Sequence, residues 1–171
     1  MSLYNINNEQ VKKGLIGEAI VKYLLCNIKD EEFIKFNHDD KYDIKTNKGK
    51  YEIKTDSNYK KYNSVFCEFM SNNKLSGIQT TKADYYIFVC PNNNFYEINY
   101  IYIFEINILK YVIEKYNPFK RNAPCRDYKN NIYSINIGYI IPKKYLNEYA
   151  TKHIININEH DDLNKIITEL I

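Results

Sequence analysis

Apolar and polar residues alternate on both sides of a short polar turn near the middle of the first half of the chain. The first arm covers residues 42–46 and the second covers 51–55, and in each arm every second residue is charged. Residues 47–49, Asn-Lys-Gly, supply the turn. This period of two is typical of half-buried strands, so the pattern predicts a β-hairpin with one apolar and one charged face.

Three charged residues, Asp43, Glu52 and Lys54, fall on the polar face of this hairpin. A two-residue loop places Asp43 opposite Glu52 or opposite Lys54, depending on which two residues form it. A three-residue loop needs a bulge to restore the same parity. In each case the sequence predicts that the three side chains converge.

Two carboxylates and an ammonium group are poor material for a hydrophobic core, because each isolated charge would lose its hydration. They suit a hard divalent cation such as Mg2+, which takes oxygen ligands and keeps several waters. Asp43 and Glu52, together with the carbonyl of Ile53, could hold such an ion beside a phosphate. Lys54 could then orient or activate a water, or offset negative charge on the phosphate.

The hydrophobic pattern before the hairpin predicts a largely buried helix that begins at Asn7 or Asn8 and ends near Asn27. Gly14 and Gly17 within it suggest close approach of the helix to a sheet. Glu18 also lies in this helix. Its simplest interpretation is an i,i+4 pair with Lys22 at a solvated edge.

The remaining patterns predict alternating strands and helices, which indicate an α/β fold with a mixed sheet flanked by helices. The expected elements are short strands at 33–37 and 64–70, a polar loop at 57–63, a strand at 85–90 buried on both faces, strands over 95–104 broken near Asn99, a helix at 106–116, a basic loop at 117–131, a strand at 132–141, a short helix from Pro142 through Glu148, a strand at 154–157, and a final helix capped by Asp161 or Asp162. Glu68 lies in the apolar strand 64–70 and needs a partner if it is buried. Its two possible locations are beside the metal site and on an exposed face of the strand.

The spacing of Asp43, eight residues, and then Glu52-Ile53-Lys54 resembles the signature of the PD-(D/E)XK nuclease superfamily. Many members carry a glutamate on the first helix, and Gly17-Glu18-Ala19-Ile20 stands where that residue belongs. The segment Ser76-Gly77-Ile78, followed by Thr81-Lys82-Ala83-Asp84-Tyr85-Tyr86, resembles phage-type and restriction-like members. The resemblance covers roughly the first ninety residues in the family's order: helix, three antiparallel strands, connecting segment, strand.

The chain also departs from the family's patterns at two places. Tyr42 stands where the family often has proline before the aspartate, and Gln79 is followed four places later by Ala83 instead of the tyrosine of the exonuclease motif. The second departure argues mildly against a recombination-exonuclease type.

The resemblance implies a single nuclease-like domain over residues 1–171, with a restriction endonuclease-like core at about 7–90 and an elaboration at about 91–171. It implies an Mg2+- or Mn2+-dependent DNA endonuclease in which Glu18, Asp43 and Glu52 hold the metal, Lys54 supports the attacking water, and Glu68 is a possible additional site residue. The alternative is a non-catalytic nucleic-acid-binding domain on the same fold. Binding of nucleic acid needs cations, and two extra carboxylates would hinder it. The DNA structure that is cut stays open, as does the oligomeric state, for which a homodimer is one option.

Charge distribution adds candidate DNA contacts. The formal net charge of +3 is too small to indicate nucleic-acid binding by itself, but six basic residues against two acidic ones lie between Lys110 and Lys129. Phe119 and Tyr128 in that stretch offer faces on which unpaired bases can stack. The basic candidates for DNA binding are Lys60, Lys61, Lys82, Lys120, Arg121 and Arg126.

Several other classes of site and location are disfavoured. No apolar run approaches the roughly 20 residues of a membrane helix, and the N-terminus lacks the pattern of a signal peptide, so a cytoplasmic protein is expected. Four widely spaced cysteines without a Cys-x-x-Cys pair favour reduced, buried thiols over zinc. Asp39 and Asp40 are rivals of Asp43 as ligands, and His38 beside them is expected to be solvated rather than to bind metal or phosphate.

Overall fold

The computed structural model describes residues 9–37, 41–92, 97–126 and 131–170, which form ten strands and five α-helices. The elements, in chain order, are α1 (Glu9–Tyr23), β1 (Phe33–Phe36), β2 (Ile44–Thr46), β3 (Lys50–Thr55), α2 (Tyr59–Tyr62), β4 (Ser64–Ser71), β5 (Lys74–Leu75), β6 (Tyr85–Pro91), β7 (Ile98–Glu105), α3 (Ile106–Tyr116), β8 (Lys120–Arg126), β9 (Ile132–Pro142), α4 (Lys143–Tyr149), β10 (Thr151–Asn156) and α5 (Asp161–Leu170). A π-helical turn, Leu24–Ile28, continues α1.

The larger of two sheets has six strands in the order β1-β2-β3-β6-β7-β10. Strands β1, β2 and β3 form an antiparallel meander, whereas β3 and β6 run parallel and β6, β7 and β10 are again antiparallel. Parallel pairing of β3 with β6 needs a long crossover, and α2, β4 and β5 lie within that crossover. The sheet is therefore mixed, as the sequence predicts.

The smaller sheet is antiparallel, with the order β5-β4-β9-β8. Strand β4 joins β9 along most of its length, from Ser64 opposite Pro142 to Ser71 opposite Asn136. The glutamate-bearing strand predicted at 64–70 therefore exists but pairs within this second sheet and not with the hairpin strands.

Helices and the second sheet cover opposite faces of the six-stranded sheet. On one face, Ile20 of α1, Leu24 of the π-helical turn and Leu163 of α5 share a core with side chains of the central strands such as Ile87 and Ile101. The opposite faces of those strands pack into a separate core that receives β4, β9, α3 and α4. Strands β6 and β7 are thus buried on both faces, and the α/β class with a mixed sheet flanked by helices is confirmed.

Helix α1 approaches β3 closely at one glycine. A Cβ atom at Gly17 would overlap the Oγ1 of Thr55, whereas a Cβ at Gly14 would meet nothing within 4 Å. The expected close approach is therefore confirmed at Gly17 and wrong at Gly14. The caps expected at Asn7 or Asn8 lie outside the described residues.

The basic loop expected at 117–131 is wrong over Lys120–Arg126, because these residues form strand β8, and residues 127–130 lie outside the described residues. This strand lies at the edge of the second sheet and pairs only with β9. An edge strand tolerates Pro124, which has no N–H to donate to a second neighbour.

Two further predictions need correction. Strand β7 runs unbroken from Ile98 to Glu105 through the buried Asn99, because β6 and β10 pair with it on both sides. The polar loop at 57–63 contains the helical turn α2, which Asn63 ends in a left-handed conformation.

No helix among the described residues combines the length and apolarity needed to cross a membrane. All four cysteines are free thiols. The predicted burial holds for Cys67 and Cys90 but is wrong for Cys26 and Cys125, which are partly exposed.

Candidate active site

The turn of the hairpin decides which charged residues face each other. Thr46 N–H donates a hydrogen bond of 2.9 Å to the Gly49 carbonyl, so Asn47 and Lys48 form a two-residue loop. Ile44 pairs with Tyr51. The Asn47–Lys48 loop is one of the two options that the sequence left open. The ladder ends at Ile44, and Asp43, just before β2, is joined to β3 by hydrogen bonds to Tyr51 and Ile53 rather than as a ladder partner of Glu52.

The Asp43 carboxylate is anchored to the neighbouring strand. Its Oδ2 accepts a hydrogen bond of 2.6 Å from the N–H of Ile53, and its own N–H donates to the Tyr51 carbonyl at 2.8 Å. A carboxylate bonded to the backbone between Glu52 and Lys54 is held at the point where those two side chains leave β3.

Glu52 and Lys54 form an ion pair on the same face of β3, with Lys54 Nζ 2.6 Å from Glu52 Oε1. The Glu52 side chain is 8% exposed and the Lys54 side chain 38% exposed, so the pair lies at the boundary between the protein and solvent. Burial alone would lower the pKa of Lys54, but the carboxylates of Glu52 and Asp43 outweigh it and raise that pKa. Lys54 therefore stays positively charged at neutral pH.

Glu18 is coupled to this group from helix α1. Burial, followed by the negative charge of Asp43, raises the pKa of Glu18 to about 7, with a further contribution from Glu52 and an opposing one from Lys54. The role of Glu18 in the site, which the resemblance implies, stays a prediction.

The fit of a divalent metal can be judged from these donors. Within the described ranges, no three or more His, Cys, Asp and Glu side chains are gathered closely enough to form a metal-binding group. Burial and then the negative charges of Asp43 and Glu52 raise the pKa of Glu18, and a cation of charge +2 would offset the contribution of those two charges. The donor chemistry fits Mg2+ or Mn2+, and Glu52 would have to exchange its bond to Lys54 for the ion.

The apolar side of the hairpin is fixed by a buried carboxylate that sequence reasoning did not single out. Glu31 Oε2 accepts hydrogen bonds of 2.7 Å from both Thr46 Oγ1 and Tyr51 Oη. Glu31 is buried, so removing either donor would leave its carboxyl group with one of these two hydrogen bonds. The two hydrogen bonds to Glu31 connect Thr46 before the turn with Tyr51 after it, and so help to keep the turn in one register.

Thr81 is a second residue that sequence reasoning missed. Its Oγ1 lies 3.2 Å from Glu52 Oε2 and 2.9 Å from the Lys41 carbonyl, to either of which it can donate. Thr81 precedes β6, the parallel neighbour of β3. The available signal was a polar residue just before β6. That signal has meaning only when the pairing of β6 with the Glu-x-Lys strand β3 is known.

A groove of about 800 Å3 opens beside the ion pair, and we call it the site groove. Its walls come from β3, α2, β4 and β8, and they include Lys54, Tyr62, Glu68 and Arg121. Glu68 Oε1 accepts a hydrogen bond of 2.7 Å from Ser76 Oγ, which supplies the partner that this carboxylate was expected to need. The groove brings Arg121 from the basic stretch onto the same surface as Lys54.

The other basic candidates are distributed over several surfaces. Lys60 and Lys61 are exposed on α2, and Lys82 is exposed before β6. Lys120 directs its Nζ over the rings of Phe69 and Tyr139, 5.6 Å from each centroid, and so does not share the groove with Arg121.

Some predicted residues cannot be located. The backbone of Arg126 is part of β8, but its side chain lies outside the described residues, as do His38, Asp39, Asp40 and Tyr128. Asp43 is thus the ligand candidate whose position is described.

A scan against protein-family models finds no matching family, and searches of curated proteins and of solved structures find no significant match. The resemblance to PD-(D/E)XK nucleases therefore stays a prediction that rests on the residues themselves.

Proposed function

We propose that the protein is a metal-dependent DNA endonuclease whose active site is the charged face of the β2–β3 hairpin. The observation that carries the proposal is the convergence of Asp43, Glu52 and Lys54, with Lys54 paired to Glu52 at 2.6 Å and lining an open groove. Nucleic-acid binding alone needs cations and gains nothing from buried carboxylates. Two carboxylates held against one ammonium group suit hydrolysis of a phosphodiester.

Each residue of the site has a distinct role in this proposal. Asp43 and Glu52, with Glu18 from α1, provide the oxygen ligands for Mg2+ or Mn2+. When bound, that ion supplies Lewis-acid stabilisation of charge on the scissile phosphate. Lys54 orients the attacking water and offsets the negative charge that develops in the transition state. Thr81 holds Glu52 in position through its hydroxyl group.

The rival function is nucleic-acid binding without catalysis. It is favoured by the absence, among the described residues, of a gathered metal-binding group, and by the closed Lys54–Glu52 pair. In that case the pair is a permanent structural contact and only the cations of the groove contact DNA.

The two functions differ in what a panel of DNA substrates would show. Supercoiled, linear, branched and single-stranded DNA should be incubated with the protein in Mg2+, in Mn2+ and in EDTA, with binding measured separately in EDTA. A nuclease cuts at least one substrate with either metal and none in EDTA. Binding without cleavage under every metal condition would support the rival and overturn the proposal.

A further inference from the structure

The site groove carries exposed aromatic rings that the proposed hydrolysis does not use. Tyr62, the last residue of α2, is 47% exposed, and Phe119, just before β8, is 75% exposed. Both side chains line the groove. Two exposed rings on one concave surface are suited to stacking against a ligand with flat apolar faces.

Cations from two different elements accompany Tyr62. Lys61 Nζ lies 5.0 Å from the centroid of the Tyr62 ring, and Arg121 Cζ lies 5.5 Å from it. Arg121 belongs to β8 and lines the groove, whereas Lys61 belongs to α2 and contacts the Tyr62 ring from outside the groove lining. Lys13 of α1 adds a further positive charge to the lining.

The acidic residues of the groove are partly compensated by the protein. Asp56 accepts hydrogen bonds from the N–H groups of Asn58 at 2.9 Å and Phe66 at 2.8 Å, and Glu68 accepts one from Ser76. The cations, in contrast, lie beside aromatic faces. The groove therefore presents a lining suited to an anionic ligand that also carries aromatic rings.

We propose that the site groove binds an unpaired DNA strand, with its bases stacked on Tyr62 and Phe119 and its phosphates contacted by Lys61 and Arg121. Stacking side chains and cations in one groove are the means by which proteins hold single strands without reading their sequence. An intact duplex hides its base faces within the stack and gains nothing from these rings. This inference rests on the proposed nuclease function and makes its substrate a single strand, a flap or a frayed end.

The test is fluorescence anisotropy in EDTA with a labelled 20-nucleotide oligo(dT) strand and with a labelled duplex of the same length. The variants are Tyr62→Ala, Phe119→Ala, their combination and Tyr62→Phe. Tyr111→Ala is the matched control, because Tyr111 is 46% exposed with Lys115 Nζ 5.2 Å from its ring centroid, but lies outside the groove. Thermal unfolding of each variant checks that the fold is retained.

We expect each alanine variant to bind the single strand about tenfold more weakly, and the combination more weakly still. Duplex binding should change less than twofold, and Tyr62→Phe and Tyr111→Ala should bind the single strand like the parent. Equal losses on both probes, no loss, a loss in Tyr62→Phe as large as in Tyr62→Ala, or a parent that does not bind the single strand would each overturn the inference. Cleavage by the parent in Mg2+ is scored separately, so a nuclease that ignores Tyr62 and Phe119 keeps the proposed function and loses this one.

Discussion

The two sheets differ in how completely their faces are covered. The central strands of the six-stranded sheet are packed on both sides, with α1 and α5 against one face and the second core against the other, whereas its edge strand β1 is largely exposed. The carboxylates of Asp43 and Glu52 lie at strands β2 and β3 of this sheet. Hydrogen bonds from Ile53 and Thr81 contact these carboxylates, and a bond to Glu31 holds Tyr51 beside the turn. The four-stranded sheet instead leaves β8 at an edge, with Arg121 and the preceding Phe119 exposed.

In the proposed nuclease, this difference separates two tasks. Catalysis needs charged groups held within a fraction of an ångström, which a sheet packed on both faces provides. Holding a long flexible substrate needs accessible cations and rings, which an open edge provides. Substitutions in the packed sheet are therefore expected to change the rate of cleavage and the stability of the fold, and substitutions on β8 to change affinity.

The largest expected effect is that of Lys54→Met. The loss of an ammonium group placed where charge develops should slow single-turnover cleavage by more than about 100-fold, while the Kd for DNA changes less than about threefold. The substitution also leaves the buried Glu52 carboxylate without its cation, so Lys54→Met/Glu52→Gln should unfold at a higher temperature than Lys54→Met alone. A proportional loss of binding and cleavage would make Lys54 a phosphate contact and erase the distinction between the sheets.

The packing of α1 on strand β3 of the six-stranded sheet can be tested at two glycines of the helix. Gly17→Ala should destabilise the fold by about 1–3 kcal/mol, because its Cβ would overlap Thr55 Oγ1. Gly14→Ala should stabilise it by up to about 1 kcal/mol, since a Cβ there meets nothing and alanine favours the helix. Urea unfolding measures both, and Gly17→Ala/Thr55→Ala should recover part of the loss. Equal effects of the two glycine substitutions would contradict close packing at Gly17.

The burial of Glu18, together with the negative charges near it, predicts a pH-dependent effect in metal-free buffer. Because the pKa of Glu18 rises from 4.5 to about 7 on folding, its ionised form destabilises the folded state progressively as pH increases through that range. Glu18→Gln should therefore stabilise the protein at pH 8, on the order of 2 kcal/mol after allowance for solvent screening, and have little effect at pH 4.5. Thermal unfolding in EDTA measures this, with the exposed Glu169→Gln as control. The same gain at both pH values would rule out the coupling.

The smallest expected effect concerns two neighbours on β8. Arg121→Gln should weaken DNA binding several-fold and reduce the slope of log Kd against log salt by about one, because Arg121 lines the groove. Lys120→Gln should change the slope less, since Lys120 directs its Nζ over Phe69 and Tyr139. Equal slopes for the two variants would show that the groove does not select between the residues of this strand.

Elements with a local signal were predictable from the sequence. The hairpin follows from alternation beside a polar turn, and α3 was predicted with the bounds that it has, Ile106–Tyr116, from its apolar spacing. Pro142 precedes α4 as expected. The convergence of Asp43, Glu52 and Lys54 also follows from alternation, because residues two apart share a strand face.

Features that depend on distant pairing were not predictable in the same way. The assignment of β4 to a second sheet depends on β9, about 70 residues later in the chain. Thr81 meets Glu52 only because β6 pairs with β3 in parallel. Strand β8 carries proline and several polar residues in place of alternation, since an edge strand has one paired side and little burial to specify. The choice between two possible hairpin loops depends on tertiary contacts, among them the Glu31 hydrogen bonds.

The most direct test of the proposed active site is single-turnover cleavage by the parent, Asp43→Asn, Glu52→Gln and Glu169→Gln, each with Mg2+ and each with EDTA. The site predicts that the parent and Glu169→Gln cut DNA at equal rates with Mg2+ and not with EDTA, and that Asp43→Asn and Glu52→Gln lose at least about 100-fold in rate. Circular dichroism should show that all four proteins are folded. Cleavage by Asp43→Asn and Glu52→Gln at the rate of the parent would contradict the assignment of the hairpin as the catalytic centre.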